Sequence, residues 1–393
     1  MGIKKYLPVI FFITIIQTAK GQVNAVNSAD SIATGLYNSG DWKQLIVFGN
    51  NTIHTGNDFP DLRLRIAYAY FITGDYKKSL YEYNKVLNNN SYNSTARYYA
   101  YFCNKYLNND VQASYNISYL DKITLKGWLS PFDLVDSGFE VGVKQNNDVN
   151  RDDATYYRIG FSNRLGWRFQ LEESFAYFNQ DIFQLTKDYP SSRSDNDLSD
   201  QQKEYYAKLN FAASNRITII GSYHYLDTKF INTIYNNNLG LLGLKYITTY
   251  ADLQADVNLG KLDSKPIEQY DGKLIFYPLG NFNLYTISMV STQHLNAADH
   301  FIFNQAAGFK LMKNTWLESD VTFGNQDDYL DQDGLYVYNG IDNTTFKCGE
   351  TIFYQLGKHA RLQLNYTYEK KQDNFTELKY DQNSTTIGML WKF

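Results

Sequence analysis

Chemistry needs reactive side chains at spacings that bring them together, and few such spacings occur in this chain. The five histidines, His54, His224, His294, His300 and His359, show no metal-ligand spacing. Ser222 and His224 share one face of an alternating segment, but no acidic partner or nucleophile motif accompanies them. A polar lining is the expected role of that pair. Cys103 and Cys348 fall in different regions and form neither a disulfide framework nor a metal site. The acidic run Asn325–Gly334 could hold a Ca²⁺ ion, yet Tyr329 stands where EF-hand spacing needs its first Asp. A solvated outer loop is the expectation there. No catalytic residue, metal or cofactor is expected from these patterns.

The charged residues make more sense once the elements that carry them are drawn. From residue 137 onward the chain alternates with period two. In Ala360–Glu369 every even position is apolar and every odd one polar. Ala251, Leu253, Ala255, Val257 and Leu259 share one face, as do Trp167, Phe169, Leu171, Phe175 and Tyr177. Alternation of this length makes one face apolar and the other wet. Turn signals divide the region into about 14 strands, an even number. They span 137–147, 153–164, 167–180, 202–214, 216–227, 238–248, 250–260, 266–277, 281–292, 298–311, 315–325, 343–356, 359–371 and 379–393. Long polar links (181–201, 228–237, 326–342, 372–378) alternate with short turns. Strands with a lipid-facing side must close, because unpaired backbone groups are too costly in hydrocarbon. The fold expected is therefore an all-β antiparallel transmembrane β-barrel in an outer membrane, with the bilayer as its first partner.

If the apolar faces meet lipid, Arg158, Arg168, Glu172, Lys208, His224, Asp252, Asp256, Glu318, Asp320 and Arg361 line the lumen. The signs are mixed, which argues against a ring selective for one ion sign. Such charges could cross-pair into a lumen-filling network or line a weakly selective aqueous channel. Glu173 and Glu350 break the pattern by falling on the lipid face. A β-bulge, a rim position or a shifted register is expected to account for them.

Composition agrees with a barrel. The chain holds 35 Tyr and 25 Phe in 393 residues, at a mean hydropathy of -0.45. Aromatics set among polar residues suit outward girdles around a polar interior. Lys4 and Lys5, an apolar run too short to span a bilayer, and Ala19-Lys20-Gly21 together read as a secretory signal peptide over 1–21. Its removal takes three lysines and no acid, so the formal charge moves from -4 to about −7. That balance argues against nucleic acid as a partner.

Between the signal and the strands, residues 22–121 read as helices, followed by a linker over 122–136. Gly40-Asp41-Trp42 recurs as Gly74-Asp75-Tyr76, an offset of 34 residues, and Ala33 recurs as Ala67. A third copy is degenerate, with Asn108-Asn109-Asp110 at the turn. A helix-turn-helix repeat of this period resembles the tetratricopeptide (TPR) family. That resemblance implies Gly40 and Gly74 at the turns, with Trp42, Tyr76, Ala33 and Ala67 packing around them. It also implies a groove for a protein or peptide in the periplasm.

The last strand puts Thr385, Ile387, Met389, Trp391 and Phe393 on one face. This resembles the C-terminal signal by which outer-membrane proteins are recognised, with Trp391 and Phe393 read by the barrel-assembly machinery. Repeats ahead of a barrel resemble exopolysaccharide exporters, although those have more repeats and a larger barrel. The expected function is a channel or export pore with a periplasmic partner-binding module. The alternatives are a non-conducting membrane anchor and, on no motif at all, an outer-membrane hydrolase.

Overall fold

The computed structural model describes residues 26–120, 130–148, 151–182, 198–230, 233–295, 298–374 and 377–393. The segment read as a signal peptide lies outside the described residues, as do most of the linker and of the 181–201 link. The chain divides into two compact units, Met1–Asn109 and Asp110–Phe393.

In the first unit five helices are described: α1 (26–39), α2 (Trp42–His54), α3 (Pro60–Thr73), α4 (Tyr76–Asn89) and α5 (Ser94–Tyr106). Two turns close identically. Gly40 N–H donates to the Tyr37 carbonyl and Asp41 N–H to that of Leu36; Gly74 and Asp75 do the same to Phe71 and Tyr70. Both glycines are left-handed (φ 71° and 84°), a conformation that costs glycine nothing. The aspartates then cap the next helix, accepting from Gln44 and Lys78 N–H. In the degenerate third copy Asn108 takes the left-handed position (φ 52°), and Asn108 and Asn109 donate to Lys105 and Asn104. Asparagine tolerates that geometry best after glycine. Ala33, Leu45, Leu62, Ile66, Ala69 and Tyr70 form the core, and Ala33 and Ala67 are fully buried.

The second unit begins with α6 (Asp110–Ile117), making six helices among the described residues. Eleven long strands follow: β1 (Phe132–Asn146), β2 (Arg151–Leu165), β3 (Phe169–Ile182), β4 (Leu198–Ala212), β5 (Ile217–Phe230), β6 (Thr233–Ile247), β7 (Ala251–Leu262), β8 (Lys265–Phe276), β9 (Leu284–Leu295), β10 (Ala298–Met312) and β11 (Thr315–Phe323). Two short ones, β12 (Leu330–Asp331) and β13 (Tyr336–Val337), pair only with each other. The series ends with β14 (Asn343–Leu356), β15 (Ala360–Gln372) and β16 (Lys379–Lys392). The 14 long strands form a closed antiparallel barrel in which β1 pairs with β16, from Asp136↔Lys392 to Asn146↔Gln382. Closure leaves no edge strand with unpaired backbone.

The two largest boundary differences from the sequence reading lie at β1 and between β5 and β6. The first strand starts at Phe132, inside the stretch read as linker. The 228–237 link does not exist as a loop, because β5 runs to Phe230 and β6 starts at Thr233. The sequence reading counts its asparagines in a long polar link. They stay in the ladder instead, where Tyr225 and Tyr223 hydroxyls donate to Asn236 and Asn238 at 2.6 Å.

The outer surface carries Phe139, Ile159, Leu209, Leu242, Leu244, Leu364 and Ile387 exposed at mid-strand. An apolar belt this continuous would be insoluble in water and is stable against lipid. Outward tyrosines along the strands donate their hydroxyls to asparagines of neighbouring strands, among them Tyr223, Tyr225 and Tyr366. At the short-turn end Phe169 stacks on Phe211 (4.7 Å) and Trp391 on His359 (5.7 Å). Phe393 lies just past β16, exposed, its N–H on the Val135 carbonyl.

Glu173 and Glu350 both face outward in unbroken register, opposite Phe161 and Tyr366. Neither a bulge nor a register error accounts for them. The Tyr205 hydroxyl donates to Glu173 at 2.8 Å, which offsets part of its cost. Glu350 is exposed midway along β14.

Candidate functional site

The site is the lumen, and the residue types along β5–β10 explain how it is filled. Near the long-loop end, inward positions turn apolar: Leu226, Leu239, Leu262, Ile267, Met289 and Ile302, all buried. A water-filled pore has no use for them. Their partner is the connection between β11 and β14, residues 324–342, which folds into the barrel. This overturns the solvated outer loop expected for Asn325–Gly334.

The inward course starts at Gly324 (φ 117°), where a Cβ would lie 2.3 Å from the Phe301 carbonyl oxygen. Only glycine fits that approach. Leu330 and Val337 of the β12–β13 hairpin pack on Leu226, Leu239, Leu262 and Ile267. Tyr329 and Tyr338 pack with Met289 and Ile302. Each such side chain contributes roughly 1.5–3 kcal/mol on leaving water. Wall side chains then satisfy the hairpin's backbone. The Gln269 amide donates to the Leu330 carbonyl (2.7 Å) and accepts from its N–H (3.0 Å), as a neighbouring strand would. Gln202 donates to the Asn339 carbonyl and Gln293 to that of Asp328. Left unmade, each buried carbonyl would cost about 1–3 kcal/mol.

The hairpin tip holds the densest contacts. Gln332, Asp333 and Gly334 are left-handed (φ 52°, 62° and 79°). The Asp333 carboxylate accepts from Lys273 (2.7 Å), Gln254 (2.8 Å) and Lys208 (3.4 Å). Burial alone would raise its pKa; Lys273 and Lys208 outweigh burial and hold the carboxyl well below its usual range. Tyr206 and Ser222 hydroxyls donate to the Asp333 carbonyl, at 3.0 and 2.9 Å. His224 Nδ1 donates to the Gly334 carbonyl (2.7 Å) and Arg158 Nη2 to that of Leu335 (3.1 Å). Ser222 and His224 are thus both engaged in holding the loop.

The loop's base is tied at the long-loop mouth. Arg151 bridges Asp342 (2.8 Å) and Asp373 (3.1 Å), and the Tyr380 hydroxyl donates to Asp342. The Asn339 amide nitrogen donates to Asp328 (3.3 Å) and Asp263 (3.2 Å). Burial and the charges of Asp327 and Asp263 push the Asp328 carboxyl up to about 7, against Lys265. Among the described residues, no group of three or more His, Cys, Asp or Glu side chains could hold a metal ion.

The remaining lumen residues occupy the short-turn half. Glu172 pairs with Lys208 (3.0 Å), Asp252 with Lys245 (3.3 Å), and Glu318 accepts from the Tyr285 hydroxyl (2.6 Å). Arg361 lies over the Phe353 ring, Asp256 accepts from Gln254, and Asp320 stands opposite Gly349. Arg168 is not on a strand: it sits in the β2–β3 turn, its guanidinium over the Tyr115 ring of α6 (4.8 Å). The tight turn at Gly166 takes Arg168 out of the alternation that had placed it in the lumen. Helix α6 itself packs Val111 and Tyr115 on Ala212, takes a hydrogen bond from Arg164 to Ser114 (3.0 Å), and joins Gln112 to Thr218. Nothing in the helical periodicity of α6 announced a place against the barrel.

No family model matches the chain, and no curated protein matches it. Among solved structures, the toluene transporter TodX of Pseudomonas putida aligns over 67% of this chain and 90% of its own, at 8% identity and a TM-score of 0.45. Omp33 of Acinetobacter baumannii aligns over 66% and 99%, at 7% identity and a TM-score of 0.38. A bacterial polysaccharide outer membrane secretin aligns over 66% and 98%, at 9% identity and a TM-score of 0.41.

Proposed function

We propose that this chain is an outer-membrane channel or export pore, closed at rest by its own lumen loop. The observation that carries the reading is the form of the closure. A discrete hairpin, entered through a glycine hinge, fills one half of a lumen whose other half remains polar and charged. Outer-membrane barrels place short turns in the periplasm and long loops outside. The first and last barrel strands meet at the short-turn end, so the helical unit belongs to the periplasmic side in this reading. The turns repeating at Gly40, Gly74 and Asn108 support a TPR-like module. A row of half-exposed rings, Tyr37, Tyr68 and Tyr99 at 5.4 and 5.3 Å, offers it a surface for a protein or peptide.

The test is planar-bilayer conductance of chain 22–393, intact and with 329–338 replaced by a short Gly-Ser link. Rare openings for the first and steady ones for the second are expected. Silence from a loop-replaced barrel that still shifts on a gel when boiled would sink the channel reading. One observation favours a second reading, a non-conducting anchor: the hairpin packs into the wall with a true apolar core. That silence is what the anchor requires. Neither reading includes hydrolysis, and Ser222→Ala with His224→Ala should abolish no esterase or protease activity.

A further inference from the structure

The wall under the hairpin tip presents hydrogen-bond donors from five strands: Arg158 on β2, Tyr206 and Lys208 on β4, Ser222 and His224 on β5, Gln254 on β7, and Lys273 on β8. What they grip is one carboxylate and three successive carbonyl oxygens, those of Asp333, Gly334 and Leu335, at 2.7–3.4 Å. The apolar docking of Leu330, Val337, Tyr329 and Tyr338 already fixes the hairpin's position. At the tip, Asp333 adopts a left-handed backbone that a non-glycine residue rarely takes, and with it delivers its carboxylate to the two lysines.

We infer that this wall is a binding site for a singly charged, oxygen-rich solute, a sugar acid or hydroxy acid, and that Asp333–Leu335 occupies it as an internal stand-in. The inference rests on the channel reading above and names the solute class that would compete with the loop. A carboxylate takes the place of the Asp333 side chain, and hydroxyl or ring oxygens take the place of the carbonyls. The surrounding acids set the charge. Glu172 already pairs with Lys208, Glu204 faces His224 Nε2 at 3.3 Å, and Asp256 accepts from Gln254. Lys273 makes its ion pair with Asp333. Counting Arg158, Lys208 and Lys273 against Glu172, Glu204 and Asp256, removing the loop carboxylate leaves the site near neutral and takes from Lys273 its paired carboxylate, which suits one returning carboxylate and disfavours a dianion such as phosphate.

The experiment uses the chain with 329–338 replaced by the short Gly-Ser link, which frees the wall donors, with glucuronate, glucose and inorganic phosphate as probes. Two readouts are taken: the temperature at which the folded barrel converts to the unfolded gel form, and block of current in a planar bilayer. Glucuronate should stabilise this loop-replaced chain and block its current at concentrations about tenfold below those of glucose or phosphate. Adding Lys273→Gln should erase that advantage. Stabilisation by glucuronate without current in any variant would keep the binding site and defeat the channel reading. Current with neither block nor stabilisation would defeat the site and leave the channel. Equal effects of phosphate and glucuronate, or effects that survive Lys273→Gln, would overturn the assignment of a monocarboxylate held by that lysine.

Discussion

Leu242 and Leu244 on the outside of β6 are exposed, while Leu239 and Leu241 on its inside are buried. One strand thus offers leucine to two different environments. Outside, the leucines need only lipid, so any large apolar residue at the right parity serves. Inside, Leu239 packs with Leu226, Leu262 and Ile267 against Leu330, a residue 91 positions further along the chain. The outer face is specified by solvent type, the inner face by one partner of fixed shape. The comparison teaches that alternation in a barrel strand is read correctly where the environment is generic and misread where it is specific.

Breaking the inner contact should have the largest effect. Leu330→Ala leaves a cavity in the loop's core and should cost about 2–5 kcal/mol of docking. Hydrogen exchange across 324–342 should rise sharply while the heat-shift of the barrel persists. Unchanged protection would mean that the polar tip alone holds the loop. Breaking the outer rule comes next. Leu244→Arg puts a charge at mid-belt and should destabilise the folded barrel in vesicles by about 2–4 kcal/mol, whereas Leu239→Arg should spare insertion and loosen the loop. Equal folded fractions for wild type and Leu244→Arg would remove the lipid-facing assignment of that surface.

A smaller and local effect concerns the loop base. With the Asp328 carboxyl pushed up to about 7 from an ordinary value near 3.9, the folded loop favours the protonated form. The stabilisation is fully present below about pH 4 and is lost as pH rises through about 7. Opening at residues 326–330, corrected for intrinsic exchange, should increase between about pH 4 and 7, level off above that, and stay level throughout in Asp328→Asn. A level wild type would place the proton on Asp263 or Asp327, whose carboxyls burial also raises. The smallest expected effect lies in the helical unit, where Asp75→Ala removes the α4 cap and should cost about 1 kcal/mol. It serves as the control, because loop protection in the barrel should not change.

The strands, their number and the polarity of each face were legible because a period of two is local: each residue's side follows from its neighbours. The turns at Gly40 and Gly74 were legible for the same reason, as a left-handed position in a short segment leaves its mark in glycine. The loop was less legible, though its content of Tyr329, Leu330, Leu335, Tyr336, Val337 and Tyr338 is unlike that of a solvated link. Had these been matched to the inward apolar positions of β5–β10, the plug would have been in view.

By itself, then, the sequence determined an antiparallel barrel with an apolar outside and a charged inside, and helices in front of it that repeat every 34 residues. It did not determine that residues 324–342 turn inward, that Asp333 meets Lys208 and Lys273, or that α6 packs against the barrel. Those contacts join residues far apart in the sequence, 60 positions for Lys273 and Asp333 and 50 for Arg164 and Ser114. Local pattern has no reach over such distances. Only closure of the barrel brings strands from opposite ends of the chain around one lumen and decides what fills it.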